Sequence, residues 1–293
     1  IVILSLFHST SAHFSTDFTQ YLDDTYGVGK RQYLERNDLQ NRGSFGGRSR
    51  HGEALARNPV VFVHGVAHVA GSLNKEMTFY YKSRGYTDAE LYATTYEDPK
   101  GDPLRWIHYT MKCDHVKRIR FMIEAVHGYT GRQVDVVAFS LGVPISRKAI
   151  LGGKCVENGE EVGQRITNIV GTFIGVAGPN VGVAPIVNGI SFALCAMSPL
   201  IPICNPVDGL FSGFCPFKSR FIDDINFHKH YEGGRVYSIG SKVDEVVGHM
   251  VCGDVSFTIA TKINLFFHKV NNYFQTFKHS GDVQIAMLSG SSF

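Results

Sequence analysis

Apolar positions along this chain follow two patterns of different period. The runs Pro59-Val60-Val61-Phe62-Val63, Leu91-Tyr92-Ala93-Thr94-Thr95-Tyr96, Val134-Asp135-Val136-Val137-Ala138-Phe139, Ile169 to Ala177 and Arg235 to Ile239 are short and rich in β-branched residues. They are almost continuously apolar, as strands of a parallel sheet covered on both faces are. Between them apolar residues recur at helical spacing. Val116, Ile119, Ile123 and Val126 make one stripe, with Lys117, Arg118 and Arg120 among the polar positions and Gly128 near the end. Leu141, Ile145 and Ala149 make another, with Pro144 in the first turn, where its missing N–H costs nothing, and Gly152-Gly153 as the stop. A closing helical stretch is expected from Asp282 to Leu288. Strands alternating with helices imply an α/β fold, a mostly parallel central sheet with helices on both faces and active residues at the carboxyl ends of strands.

Two regions are less patterned. Residues 13 to 58 are polar, with one short amphipathic segment through Tyr21-Leu22, Tyr33-Leu34 and Leu39, and Gly43 to Gly47 as loop. Residues 180 to 232 are rich in Gly, Pro, Phe and Cys and read as an irregular, Cys-containing insertion. Its Ile201, Leu210, Phe211, Phe214 and Phe217 are expected either to form a rim or lid over an apolar site or to complete the core. Nothing suggests a second domain, so residues 13–293 are taken as one. Residues 1–12, an apolar stretch followed by Ser9-Thr10-Ser11-Ala12, read as the tail of a signal peptide. They are too short to span a bilayer, which takes about 20 apolar residues.

Composition narrows the functional classes. The 293 residues are 44% hydrophobic and 19% charged, with a formal net charge of +3 spread along the chain. Nucleic acid is therefore not an expected partner, and the Arg42, Arg48, Arg50 and Arg57 group sits in a Gly/Ser-rich loop. Six cysteines (Cys113, Cys155, Cys195, Cys204, Cys215 and Cys252) without C-x-x-C spacing argue for disulfides and an oxidising compartment. Their pairing stays open among 15 connectivities. Pairs such as His64 with His68, or His228 with His230, lack a third ligand, so no metal is expected. No nucleotide fingerprint is present, and no cofactor is expected.

The chemistry centres on Ala138-Phe139-Ser140-Leu141-Gly142, where a buried strand stops at a serine and turns at once into a helix. Small residues at both ends let strand and helix pack closely while the serine points outward, although alanine stands where G-x-S-x-G has glycine. With His64-Gly65 after the first buried strand, Asp244 after the strand ending near Ile239, and His279 near the end, the order Ser, Asp, His emerges.

On these residues, from about Gly43 to about Leu288, the chain resembles the secreted class 2 lipases of bacteria and nematodes, a family of the α/β-hydrolase fold with the same alanine in the elbow. The resemblance implies a secreted carboxylic ester hydrolase acting on acylglycerols, with contact to a lipid–water interface and no protein partner inferred. Ser140 would be the nucleophile, Asp244 the orienting carboxylate and His279 the base. The N–H groups of Val66 and Leu141 would form the oxyanion hole, with His64 orienting its loop. His279 is preferred over His249 and His268 because Asn272 to Phe277 reads as an extended run, a last strand that ends just before it. The alternatives are a short-chain esterase or acyltransferase on the same triad and a non-catalytic secreted lipid-binding protein.

Overall fold

A computed structural model describes residues 13–291 except 67, 99, 101, 103–104, 185, 188–189, 192–194, 196–199, 212–214, 260–263 and 269–271. The signal-peptide expectation for residues 1–12 lies outside the described residues. The central sheet has seven strands: β1 (Ser44–Phe45), β2 (Val60–Val63), β3 (Leu91–Thr94), β4 (Val134–Phe139), β5 (Val170–Val176), β6 (Arg235–Ser241) and β7 (Asn264–His268). Their order is β1-β3-β2-β4-β5-β6-β7. Only β1 runs antiparallel, pairing Ser44 with Thr94; the other neighbours are parallel. This arrangement is the α/β-hydrolase fold.

Period-two alternation sends side chains to two cores. Val61, Val63, Tyr92, Val136, Ala138 and Phe173 pack on one side, against the helices α1 (Thr16–Tyr26), α3 (Cys113–Thr130) and α4 (Gly142–Leu151). Val60, Phe62, Leu91, Ala93, Val137, Phe139, Ile174 and Val176 face the other, where they meet Tyr81, Tyr273, Phe277 and Met287. Tyr273 and Phe277 belong to α6 (Tyr273–His279) and Met287 to α7 (Gly281–Ser289). Both faces are dry, which is why the strands read as continuous apolar runs.

Several expectations are corrected. The polar N-terminal stretch carries two helices, α1 and α2 (Val28–Glu35), and part of the expected loop after it is β1. Phe18 and Leu22 of α1 are fully buried, but the helix is otherwise mostly Asp, Thr and Gln, so the stripe is short and easily missed. The run 272–277 is not a strand. Asn272 caps α6 by accepting from the Gln275 N–H, while the Gln275 side chain accepts from the Asn272 N–H, and this reciprocal cap starts a helix there. The last strand is β7, whose Leu-Phe-Phe run pairs in parallel with β6 from Tyr237↔Asn264 to Ser241↔His268.

The six cysteines form Cys113–Cys155, Cys195–Cys204 and Cys215–Cys252. The second closes a loop inside the insertion, and the third ties the insertion to the segment after β6. Within the insertion, Leu210 is buried and Phe211 packs against the core, whereas Phe217 is exposed. Phe214 lies outside the described residues. Helix α5 (Arg220–Phe227) buries Phe221, Ile222 and Ile225. The segment thus completes the core at its second half and reaches the candidate site with Ile203 and Leu210. No helix among the described residues is long and apolar enough to cross a membrane.

Candidate active site

Ser140 follows the last residue of β4 and precedes α4, with φ of 53°, a left-handed backbone conformation that non-glycine residues adopt at a cost. Its N–H is held by the Val176 carbonyl of β5, and its own carbonyl accepts from the Val143 N–H of α4. Two glycines make the turn fit. A Cβ on Gly142 would stand 2.5 Å from the His64 carbonyl oxygen and 2.8 Å from that of Val63, so only glycine lets α4 start against β2. A Cβ on Gly65 would meet the Ser140 Cβ at 2.7 Å, so the loop after β2 abuts the serine.

That loop is pinned by His64. Its Nδ1–H donates to the Gly65 carbonyl at 2.8 Å, and its Nε2 accepts from the Tyr96 N–H at 3.2 Å. The ring stacks on Tyr96 with centroids 4.0 Å apart. Complete burial pushes its pKa down to about 3, so it stays neutral and keeps one tautomer. His64 therefore orients the loop that carries Val66, and takes no proton from substrate.

A pocket of about 240 Å³ opens on Ser140. Val66 and Leu141 flank the serine in its wall; Pro179, Val183, Ile203, Leu210 and Val247 supply most of the rest. Almost every lining group is apolar, which suits an acyl chain rather than a sugar or a charged metabolite.

Asp244 lies on the turn after β6, 2% exposed. Its Oδ1 accepts from the N–H groups of Val246 and Val247 at 2.9 and 2.8 Å, which folds the turn so that Glu245, Val246 and Val247 border the pocket. Burial pushes its pKa up to about 6, against the opposing pull of those two N–H groups.

The structure does not bring the expected histidine onto the serine. His279 is the last residue of α6 and is exposed. The residue of that helix which meets the serine is its first: the Tyr273 hydroxyl donates to Ser140 Oγ. Six positions along an α-helix amount to about 9 Å of rise and a turn to another face, so with Tyr273 on Ser140 the side chain of His279 points elsewhere. Among the other candidates, His249 packs against Phe257, and the side chain of His268 lies outside the described residues. Tyr273 escapes a reading of the sequence because a tyrosine in an aromatic run carries no catalytic signature. Its signal is positional, visible once the last strand is set at Asn264–His268.

Fold and elbow together define an α/β-hydrolase with a serine at the head of the central strand. A sequence model of the class 2 lipase family matches residues 57–286, and the chain belongs to that family. No curated protein matches it in sequence. Among solved structures, the mature form of the Bacillus licheniformis lipase BlEst2 aligns at 14% identity and a TM-score of 0.51, over 85% of this chain and 98% of that one. Its propeptide form aligns at 14% identity and 0.54, over 84% and 53%. Lipase B of Aspergillus fumigatus aligns at 13% identity and 0.49, over 85% of this chain, which spans only 62% of that protein.

Proposed function

We propose that the chain is a secreted serine ester hydrolase whose site takes carboxylic esters of apolar acyl chains, acylglycerols foremost, with Ser140 as nucleophile. The observation that carries this reading is the apolar pocket of about 240 Å³ opening on a serine in a strained elbow. An acyl chain lying along Val183, Ile203 and Leu210 would bring its carbonyl to Ser140 Oγ. The N–H groups of Val66 and Leu141, on either side of the serine, would receive the oxyanion. Asp244, buried on the turn after β6, would supply the acid of the Ser-Asp-His order. Three disulfides favour an oxidising compartment and hence secretion.

A chain-length series of p-nitrophenyl esters, offered in solution and as emulsified acylglycerol, tests the reading. Binding and any turnover should rise from acetate toward medium chains, and Ser140→Ala should abolish turnover without unfolding the protein. Residual hydrolysis unchanged in Ser140→Ala would remove the serine from the chemistry. One observation favours a second reading, an acyl-ester binder with little turnover: the partner of Ser140 Oγ is a phenol.

A further inference from the structure

We propose that Tyr273 occupies the place of the general base at this site, so that the chain holds an acyl ester against Ser140 and turns it over slowly. The proposal rests on the ester-site reading above and specifies its chemistry. It begins with topology. Strand β7 ends beside Ser241 of β6, and the next described element, α6, presents its first residue to the head of β4. That is where a side chain acting on Ser140 has to come from. The Tyr273 ring lies 5.0 Å from Phe139, the residue before the serine, and Phe277 one turn on stacks on the same ring at 4.6 Å. The Tyr273 N–H donates to Glu245 Oε2 at 3.2 Å, fastening the helix to the turn that carries Asp244. Tyr273 is thus buried and fixed by ring packing, by its backbone and by its hydroxyl on Ser140.

The chemistry follows from what a phenol can do there. In acylation Ser140 Oγ bonds to the ester carbonyl carbon, the serine proton passes to a base, and the ester C–O bond breaks as that proton is delivered to the departing alcohol. Water then repeats the sequence and releases the acid. A neutral phenol can share hydrogen bonds with Oγ but is far too weak a base to take its proton. Ionising it first is opposed chiefly by burial and also by the carboxylates of Asp244 and Glu245, against the opposite pull of its hydrogen bond with Ser140. The remainder of the machinery, elbow, loop and acyl pocket, still favours capture of an ester.

The test compares wild type, Tyr273→His, Tyr273→Ala and Tyr273→Phe on p-nitrophenyl octanoate, with binding of a fluorescent fatty acid and its displacement by the ester as a separate readout. Wild type is expected to bind the chain yet turn over at least 100-fold below the roughly 1–10³ s⁻¹ usual for enzymes. Tyr273→His should raise kcat by about 10²-fold or more, the contribution of a general base. Tyr273→Ala should not, and Asp244→Asn added to Tyr273→His should undo the gain. Tyr273→Phe should not raise kcat either, since it supplies no base.

Wild-type turnover in the ordinary range would overturn the proposal, as would loss of the wild-type turnover in His68→Gln, His268→Gln or His279→Gln. An inert Tyr273→His in a folded protein, or an equal gain in Tyr273→Ala, would overturn it too. In each of these cases fatty-acid binding at the pocket leaves the ester-site reading standing. Failure of wild type to bind the chain at all would take both down.

Discussion

At the scale of single residues, burial decides which titratable groups can take part in chemistry. His64 and Asp244 both sit in the dry region around Ser140, and burial moves each toward its neutral form. For Asp244 the sign is clear. Its carboxyl pKa rises from 3.8 unfolded to about 6 folded. The folded chain therefore binds this proton more tightly, and the stability it lends is full below pH 3.8 and lost as pH rises through about 6. Asp244→Asn keeps an acceptor for the Val246 and Val247 N–H groups and removes the titration. The variant should thus gain on wild type by about 2–3 kcal/mol between pH 4 and pH 7, read by denaturant unfolding at each pH. A difference independent of pH would mean that the carboxyl is not held in its neutral form. Ser140 and the structural part played by His64 were legible in the sequence because each sits where a predicted strand ends. Tyr273 was not, since the argument for its neighbourhood depended on where the last strand lay. Leu265-Phe266-Phe267 and Tyr273-Phe274 are equally aromatic, and only the Asn272–Gln275 cap separates strand from helix.

At the scale of elements, the junction of β4 and α4 is the part most tightly specified. Strand periodicity, Pro144 in the first turn and the stop at Gly152 all survive in the structure. What periodicity does not reveal is the reason for Gly142, which is the backbone of β2 lying against it. Gly142→Ala places a methyl group against two carbonyl oxygens, neither of which can swing away as a side chain would. A loss of about 1–3 kcal/mol is expected in chemical denaturation, with the elbow displaced and ester turnover reduced more than in a surface Gly→Ala control such as Gly29→Ala, where a Cβ meets nothing. Equal losses at the two positions would show that helix packing on β2 does not constrain the serine. The N-terminal helices were hidden for the opposite reason. Their apolar residues are few, and their place in the fold comes from Phe18 reaching Tyr92 and Tyr129 across long sequence separations.

At the scale of the whole molecule, the insertion is held on the sheet by a buried polar network that no local pattern announces. Arg147 of α4 is 1% exposed. It pairs with Glu232 at 3.0 Å and donates to Asn226 Oδ1, Asn180 Oδ1 and the Ile225 carbonyl. Lys148, next to it, reaches Asp224 of α5 at 2.8 Å. These contacts connect the back of the nucleophile helix with both ends of the insertion, whose Ile203 and Leu210 wall the pocket. Arg147→Met strands the Glu232 carboxylate and should cost about 3–5 kcal/mol. Adding Glu232→Gln should recover part of that loss, because the uncompensated charge is gone. Thermal or denaturant melts of the two variants check this, and a double variant no better than the single one would mean that packing, not charge, dominates. The alternating order of strands and helices, and with it the sheet, was readable from hydrophobic period alone. Docking of the insertion was not, because it depends on polar groups more than thirty residues apart.

The central claim is that acyl chemistry is organised at Ser140 in front of an apolar pocket. Its most direct test is covalent modification by alkyl fluorophosphonates of increasing chain length, followed by peptide mass mapping. The adduct is expected on the peptide containing Ser140, forming slowly in wild type, faster with an octyl than with a methyl chain, and not at all in Ser140→Ala. Modification at another residue, or labelling that persists in Ser140→Ala and is indifferent to chain length, would contradict the account.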